Sequence, residues 1–205
     1  MAIGIAECGK SPTSFSVLGL DLSGSERRPT GCAYLDRKVV KTRVLYKDEH
    51  ILELAGDFDY IFIDAPLSLP KDRKTVEDRT GRHLRECDVK LKELGIRFFP
   101  ITLGPMRMLT ERGIRLSSTL KGSGKQVYEV FPGAFYDVFG VKRKDKEAIK
   151  SLFRKLGFSL QKEENTQDEL DAVACLITGL FYLLGRTVVL GGEDGSIIIP
   201  KALQL

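Results

Sequence analysis

Apolar residues fall along this chain in short runs with two different periods. From Ser16 to Leu22 nearly every position is apolar up to Asp21, with Gly24 just beyond, which reads as a strand buried on both faces. Gly31–Leu35 and Val39–Tyr46 read as two more strands, joined by Asp36-Arg37-Lys38, a connection short enough for a hairpin. A short helix over about 49–55 leads to the apolar strand Tyr60-Ile61-Phe62-Ile63-Asp64, stopped by Pro66. From Lys71 to about Leu94 the pattern turns charged and helical. After a Phe98-Phe99-Pro100 junction, a second helical stretch covers about 105–120. Gly122-Ser123-Gly124 opens a strand over Gln126–Phe131, closed by Pro132-Gly133. Helices are expected over about 133–139, 144–156 and 167–185, and Thr187–Leu190 with Ser196–Ile199 as a terminal hairpin.

Three strands in a meander, then a helix, then further buried strands predict an α/β protein. The sheet should be mixed, an antiparallel meander continued by parallel strands, with helices flanking it. A length of 205 residues suits one sizeable core. With no internal repeat or linker, a single domain is expected over residues 15–205, carrying a helical insertion at about 71–122 and preceded by a loose leader over 1–14. The start of the chain lacks an apolar signal core, and the longest apolar stretch, Ala172–Gly185, is too short to span a bilayer. A cytoplasmic protein with no membrane partner is therefore expected. Four scattered cysteines without a CxxC pair and only two histidines argue against a disulfide framework or a zinc site. A net charge of +4 tolerates a polyanionic partner without demanding one, and the composition allows a homodimer.

The candidate chemistry lies in carboxylates at unusual places. Alternation puts Val17, Gly19 and Asp21 on one face of the first strand, and Phe62 and Asp64 on one face of the fourth. A charge at the end of an apolar strand is costly to bury unless something compensates it, and ligands of α/β sheets gather at the carboxyl ends of strands. Asp168-Glu169-Leu170-Asp171-Ala172 opens the strongly apolar helix. Thr166 and Glu169 fit a capping box, so Asp168 falls in the first helical turn, where a negative charge is favoured in any case. Asp171 has no such explanation, because every face of this helix is largely apolar. Glu129 is the only acid of its strand and either joins the others or faces solvent.

Two carboxylates about 4 Å apart repel by about 4 kcal/mol at an effective dielectric near 20, so a shared proton or a bound cation must relieve them. Oxygen ligands without His or Cys favour Mg²⁺ or Mn²⁺, and a pair of such ions suits attack at a phosphate. On this reading Asp21, Asp64 and Asp171 are the metal ligands, with Asp168 and Glu129 as further catalytic candidates. Arg85 and Lys125 are candidate phosphate-binding residues.

Gly19-Leu20-Asp21 on the first strand, the meander, the acid closing the fourth strand and Asp-x-x-Asp-Ala opening the last helix resemble the ribonuclease H-like superfamily, especially its Holliday-junction-resolvase branch. Ile63-Asp64-Ala65-Pro66-Leu67, Arg85-Glu86-Cys87-Asp88, Glu129-Val130-Phe131-Pro132 and Asp168-Glu169-Leu170-Asp171-Ala172 are similar to a family of predicted nucleases known as domain of unknown function family 429. The resemblance covers about residues 16–185. It implies a ribonuclease H-like fold, metal-dependent phosphodiester cleavage and a nucleic-acid partner, with Asp21, Asp64 and Asp171 in the positions of the metal-binding acids and Asp168 as a fourth. Glu129, Arg85 and Asp88 match only the narrower family pattern. The resolvase branch often carries glutamate where this chain has the shorter Asp64.

Two other readings compete. The same Gly-x-Asp strand opens the actin-like sugar kinases, which need two such domains to close over ATP, and this chain shows one copy. Gly122-Ser123-Gly124-Lys125 lacks the following Ser/Thr of a P-loop and leads into a strand. A non-catalytic nucleic-acid-binding module would use the basic stretches Lys142-Arg143-Lys144, with Lys146, Lys150, Arg154 and Lys155, and Arg79, Arg82 and Arg85. The acids favour catalysis over simple binding.

Overall fold

The computed structural model describes residues 16–78 and 80–202, so the expected leader and Arg79 lie outside the described residues. Strand alternation sorts the apolar side chains into two cores on opposite faces of one sheet. Val17 of β1 (Val17–Asp21) and Phe62 of β4 (Tyr60–Asp64) enter one core; Leu18, Leu20, Ile61 and Ile63 enter the other. The meander continues through β2 (Thr30–Asp36) and β3 (Val39–Leu45), both antiparallel to their predecessors. Beyond β1 on the other side, β4 and then β5 (Gln126–Glu129) run parallel to it. A two-residue β6 (Ser159–Leu160) adds in parallel to β3, giving the order β5-β4-β1-β2-β3-β6. This is the mixed sheet, an antiparallel meander continued by parallel strands, that the sequence predicts. β6 was not expected, being too short to carry a period.

Helices cover both faces. On one side α1 (Asp48–Ala55) and α3 (Gly104–Gly122) contribute Ile51, Leu116 and Leu120. On the other lie α4 (Pro132–Val138), α5 (Lys146–Lys155) and, centrally, α6 (Gln167–Leu183). The expected capping box starts α6: Glu169 N donates to Thr166 Oγ1 at 3.1 Å and Thr166 N donates to Glu169 Oε2 at 3.0 Å. Leu170, Val173, Leu176, Ile177 and Leu180 are all buried, each worth about 1.5–3 kcal/mol of apolar transfer, so α6 is firmly held against the sheet.

Two glycines set how close α6 comes. A Cβ at Gly19 would lie 2.3 Å from the Ala172 carbonyl oxygen, and one at Gly31 would lie 1.9 Å from that of Asp168. Any larger residue there would push the start of α6 off the ends of β1 and β2. The glycines thereby fix the distance between the strand acids and the helix acids.

The segment from Lys71 to Arg85 departs from the helical expectation. Its described residues form turns and bends, and among them a helix begins only at α2 (Glu86–Glu93). Side chains compete for the backbone groups a helix would use: Asp78 Oδ2 accepts from Lys74 N and Thr75 N, and the buried Arg73 donates to the carbonyls of Asp78 and Arg82. The terminal hairpin forms as expected from β7 (Thr187–Gly192) and β8 (Gly195–Pro200). It packs on α2 through a third apolar cluster containing Cys87, Leu91, Leu190, Ile197 and Ile199. Among the described residues no helix is long and apolar enough to cross a membrane.

Candidate active site

Register decides which acids meet. Asp21 and Asp64 are directly paired neighbours at the carboxyl ends of parallel β1 and β4, about 4.8 Å apart by strand spacing. Both point to the face that α6 covers, and the close approach at Gly19 and Gly31 brings the first turns of α6 over them. Asp171 is held there by two donors, Tyr136 Oη at 2.7 Å and Gln167 Nε2 at 2.8 Å. One turn further along, Cys175 Sγ donates to the Leu20 carbonyl at 3.4 Å and ties α6 to the end of β1. Asp168 sits half-buried on the preceding turn.

None of Asp21, Asp64, Asp168 and Asp171 has a Lys, Arg or His within ion-pair distance among the described residues. Their protonation reflects this. Burial, then the charges of Asp64, Asp171 and Asp168, hold the Asp21 carboxyl well above the usual range. Burial and then Asp171 and Glu129 do the same to Asp64, with Arg143 pulling the other way. Asp171 is pushed up to about 6 by burial, against the lowering effect of its Tyr136 and Gln167 hydrogen bonds. Asp168 is raised by burial and by Glu169.

Such a cluster binds either protons or a cation. Its donors are all hard oxygens, which fits Mg²⁺ or Mn²⁺. As placed, no three His, Cys, Asp or Glu side chains among the described residues close round one point as a cage. The set fits a cation by donor chemistry and uncompensated charge.

Glu129 lies elsewhere. Its register partner is Ile63, one step before Asp64, so the period of two turns it to the opposite face of the sheet. There it meets Arg85, which is 1% exposed. Arg85 Nη1 and Nη2 each reach Glu129 at 2.7 Å; Nε and Nη2 reach Asp88 at 3.2 and 2.9 Å; Nη1 also reaches Ser68 Oγ at 3.1 Å. All five guanidinium donors are used, leaving none for a phosphate. Burial alone would lower Arg85, but Glu129 and Asp88 outweigh it and keep it charged. Burial raises Glu129 against the pull of Arg85. Glu129 also accepts from Leu67 N at 2.8 Å, which pins the chain just after Asp64.

Lys125 lies at the opposite end of the sheet from the acids, since its neighbour Gln126 pairs with Tyr60 at the start of β4, and its Nζ donates to the Gly56 carbonyl at 2.7 Å. The structure thus brings together Asp21, Asp64, Asp171 and Asp168, ties Glu129 and Arg85 into a separate buried network within electrostatic reach of Asp64, and places Lys125 at the far end of the sheet.

Two positioning residues escaped the sequence reading. Gln167 stands one turn before Asp171, a spacing that was legible. Tyr136 reaches Asp171 from another helix, and no local pattern announces it. Arg143, whose charge acts on Asp64 and Asp171, stacks its guanidinium 5.2 Å from the Phe131 ring centre and pairs with Asp137.

No protein-family model matches the chain, and no curated protein matches it at a significant level. Among solved structures it is similar to T. thermophilus RuvC in complex with Holliday junction substrate, at 12% identity and a TM-score of 0.43 over 83% of this chain and 96% of that one. It is also similar to the Thermus thermophilus RuvC structure, at 12% identity and a TM-score of 0.44 over 83% and 97%. At TM-scores below 0.5, the functional reading rests on the chain's own residues.

Proposed function

We propose that this protein is a metal-dependent nuclease that hydrolyses phosphodiester bonds of a nucleic acid, with Asp21, Asp64 and Asp171 as its metal ligands. The observation that carries the reading is the pairing of Asp21 with Asp64 on one face beneath Asp171, with no cationic side chain in ion-pair contact with them among the described residues. The four motifs that resemble those of the predicted-nuclease family are consistent with it.

Asp21, Asp64 and Asp171 would together hold a Mg²⁺ or Mn²⁺ pair. Such ions supply the neutralising charge and polarise the phosphate. Tyr136 and Gln167 orient the Asp171 carboxylate and leave its second oxygen uncommitted. Asp168 extends the negative rim toward solvent. Arg143, which acts electrostatically on both Asp64 and Asp171, is placed to attract a phosphate to them. Glu129 and Arg85 serve by fixing the Asp64–Leu67 turn.

The test is a panel of single-stranded, duplex and branched DNA and RNA incubated with Mn²⁺, Mg²⁺ or EDTA. Wild type should cut at least one substrate only with metal. Asp21→Asn and Asp171→Asn should each slow cutting by about a thousandfold, about 4 kcal/mol, with unchanged circular dichroism. Variants that cut as fast as wild type would place the chemistry elsewhere. Metal-independent binding without cutting would identify a binding protein on this fold.

A further inference from the structure

A cavity of about 810 Å³ opens beside Asp64, and the proposed chemistry uses only its Asp64 and Arg143 edge. Its walls come from α2, the Arg97–Ile101 segment, the start of α3 and the ends of β4 and β5. Leu84, Phe98, Phe99, Met106, Leu109 and Phe131 make it largely apolar, and Asp64 is itself part of the wall. Phe99 is 71% exposed and pairs with no other aromatic ring among the described residues, while Phe131 is already covered by the Arg143 guanidinium. An adjoining cleft of about 1010 Å³ shares Gly95, Ile96, Arg97 and Arg143 with the cavity. It carries Arg97, Lys142, Arg143 and Lys201 against a single acid, Asp137.

An apolar, ring-lined chamber touching a carboxylate site, with a basic track leading away, has the features of a nucleotide site. The chamber suits a flat aromatic heterocycle, the acids suit metal-held phosphate, and the track suits the next phosphates of a polyanion. A base inside a duplex cannot enter such a chamber while stacked and paired. Resting on the nuclease reading above, we infer that this cavity receives the base of an unpaired nucleotide next to the phosphate at Asp64, so that the protein selects single-stranded or bulged nucleic acid over continuous duplex. The base lies against Phe99 and Phe98, and the strand runs out along Arg97, Arg143 and Lys142.

Fluorescence anisotropy in EDTA tests this without turnover. The probes are a blunt duplex, the same duplex with a one-nucleotide bulge, and the bulged duplex with an abasic bulge, each as DNA and as RNA. The bulged duplex should bind about tenfold more tightly than both others, as expected for one gained base stack. Phe99→Ala, at an exposed position where folding is not at stake, should remove that advantage and leave blunt-duplex binding unchanged. Arg97→Ala should weaken all three probes and flatten their salt dependence.

Equal affinity for the base-bearing and abasic bulges overturns the proposal. So does a bulge preference that survives Phe99→Ala, because the base is then read elsewhere. Metal-dependent cutting by wild type that persists alongside either result leaves the nuclease reading standing and removes only the cavity's role. No cutting together with no probe binding removes both.

Discussion

Two groups of acids stand side by side at the carboxyl ends of the central strands, and their electrostatics are opposite. Asp88 and Glu129 share one buried arginine through short hydrogen bonds and close a complete network. Among the described residues Asp21, Asp64 and Asp171 have no cationic side chain in ion-pair contact, only the more distant pull of Arg143, and their carboxyls are pushed toward the protonated form. Glu129 and Asp64 sit within one residue of each other in register, yet on opposite faces. Position near a strand end therefore does not define a ligand. The difference lies in whether the fold itself supplies a counter-charge. Where it does, the acids close a network; where it withholds one, the charge stays without an ion-pair partner, which is what the proposed metal site rests on.

The most severe test of this contrast is Arg85→Ala. It strands two carboxylates in the interior and should cost about 3–5 kcal/mol in urea unfolding, whereas Asp21→Asn, which removes a repelling charge, should cost nothing. Equal destabilisation by both would erase the distinction. Next in size, Mn²⁺ at about a hundred times its dissociation constant should stabilise wild type by about 2.7 kcal/mol in thermal unfolding, and Asp21→Asn should lose most of that gain. Glu129→Gln should keep the metal response.

A smaller effect runs in the reverse direction. In metal-free protein at pH 7.5, Asp171→Asn should raise Tm by about 2–4 °C, corresponding to about 1 kcal/mol for a domain of this size. The finest test is its pH dependence. Asp171 holds its proton more tightly when folded, at about 6 against an ordinary 3.8. Its contribution to stability is therefore full below about pH 4 and is lost as the pH rises through about 6. The gap between Asp171→Asn and wild type should open across that window and close again with Mn²⁺. A gap that does not change with pH would mean that Asp171 is not charged uphill.

Much of this was legible because strands and helices announce themselves locally. The alternation on β1 and β4 placed Asp21 and Asp64 on defined faces, and the Thr166–Glu169 box separated Asp168, with its ordinary place in a helix start, from Asp171, which has none. The Lys71–Arg85 stretch was misread as helical because its charge pattern is compatible with a helix, while the bonds that stop one come from its own side chains folding back.

By itself the sequence determined most of the element types, the mixed sheet and the three acids without an ordinary excuse, since each follows from periods of two and 3.6 and from the cost of burying charge. Only the tertiary structure decided the partners. Arg85 and Glu129 are 44 positions apart, as far from local reading as Tyr136 is from Asp171, 35 positions away. Which charges are cancelled and which are left open depends on strand register and on how closely α6 rests on two glycines, both of them properties of packing between distant segments.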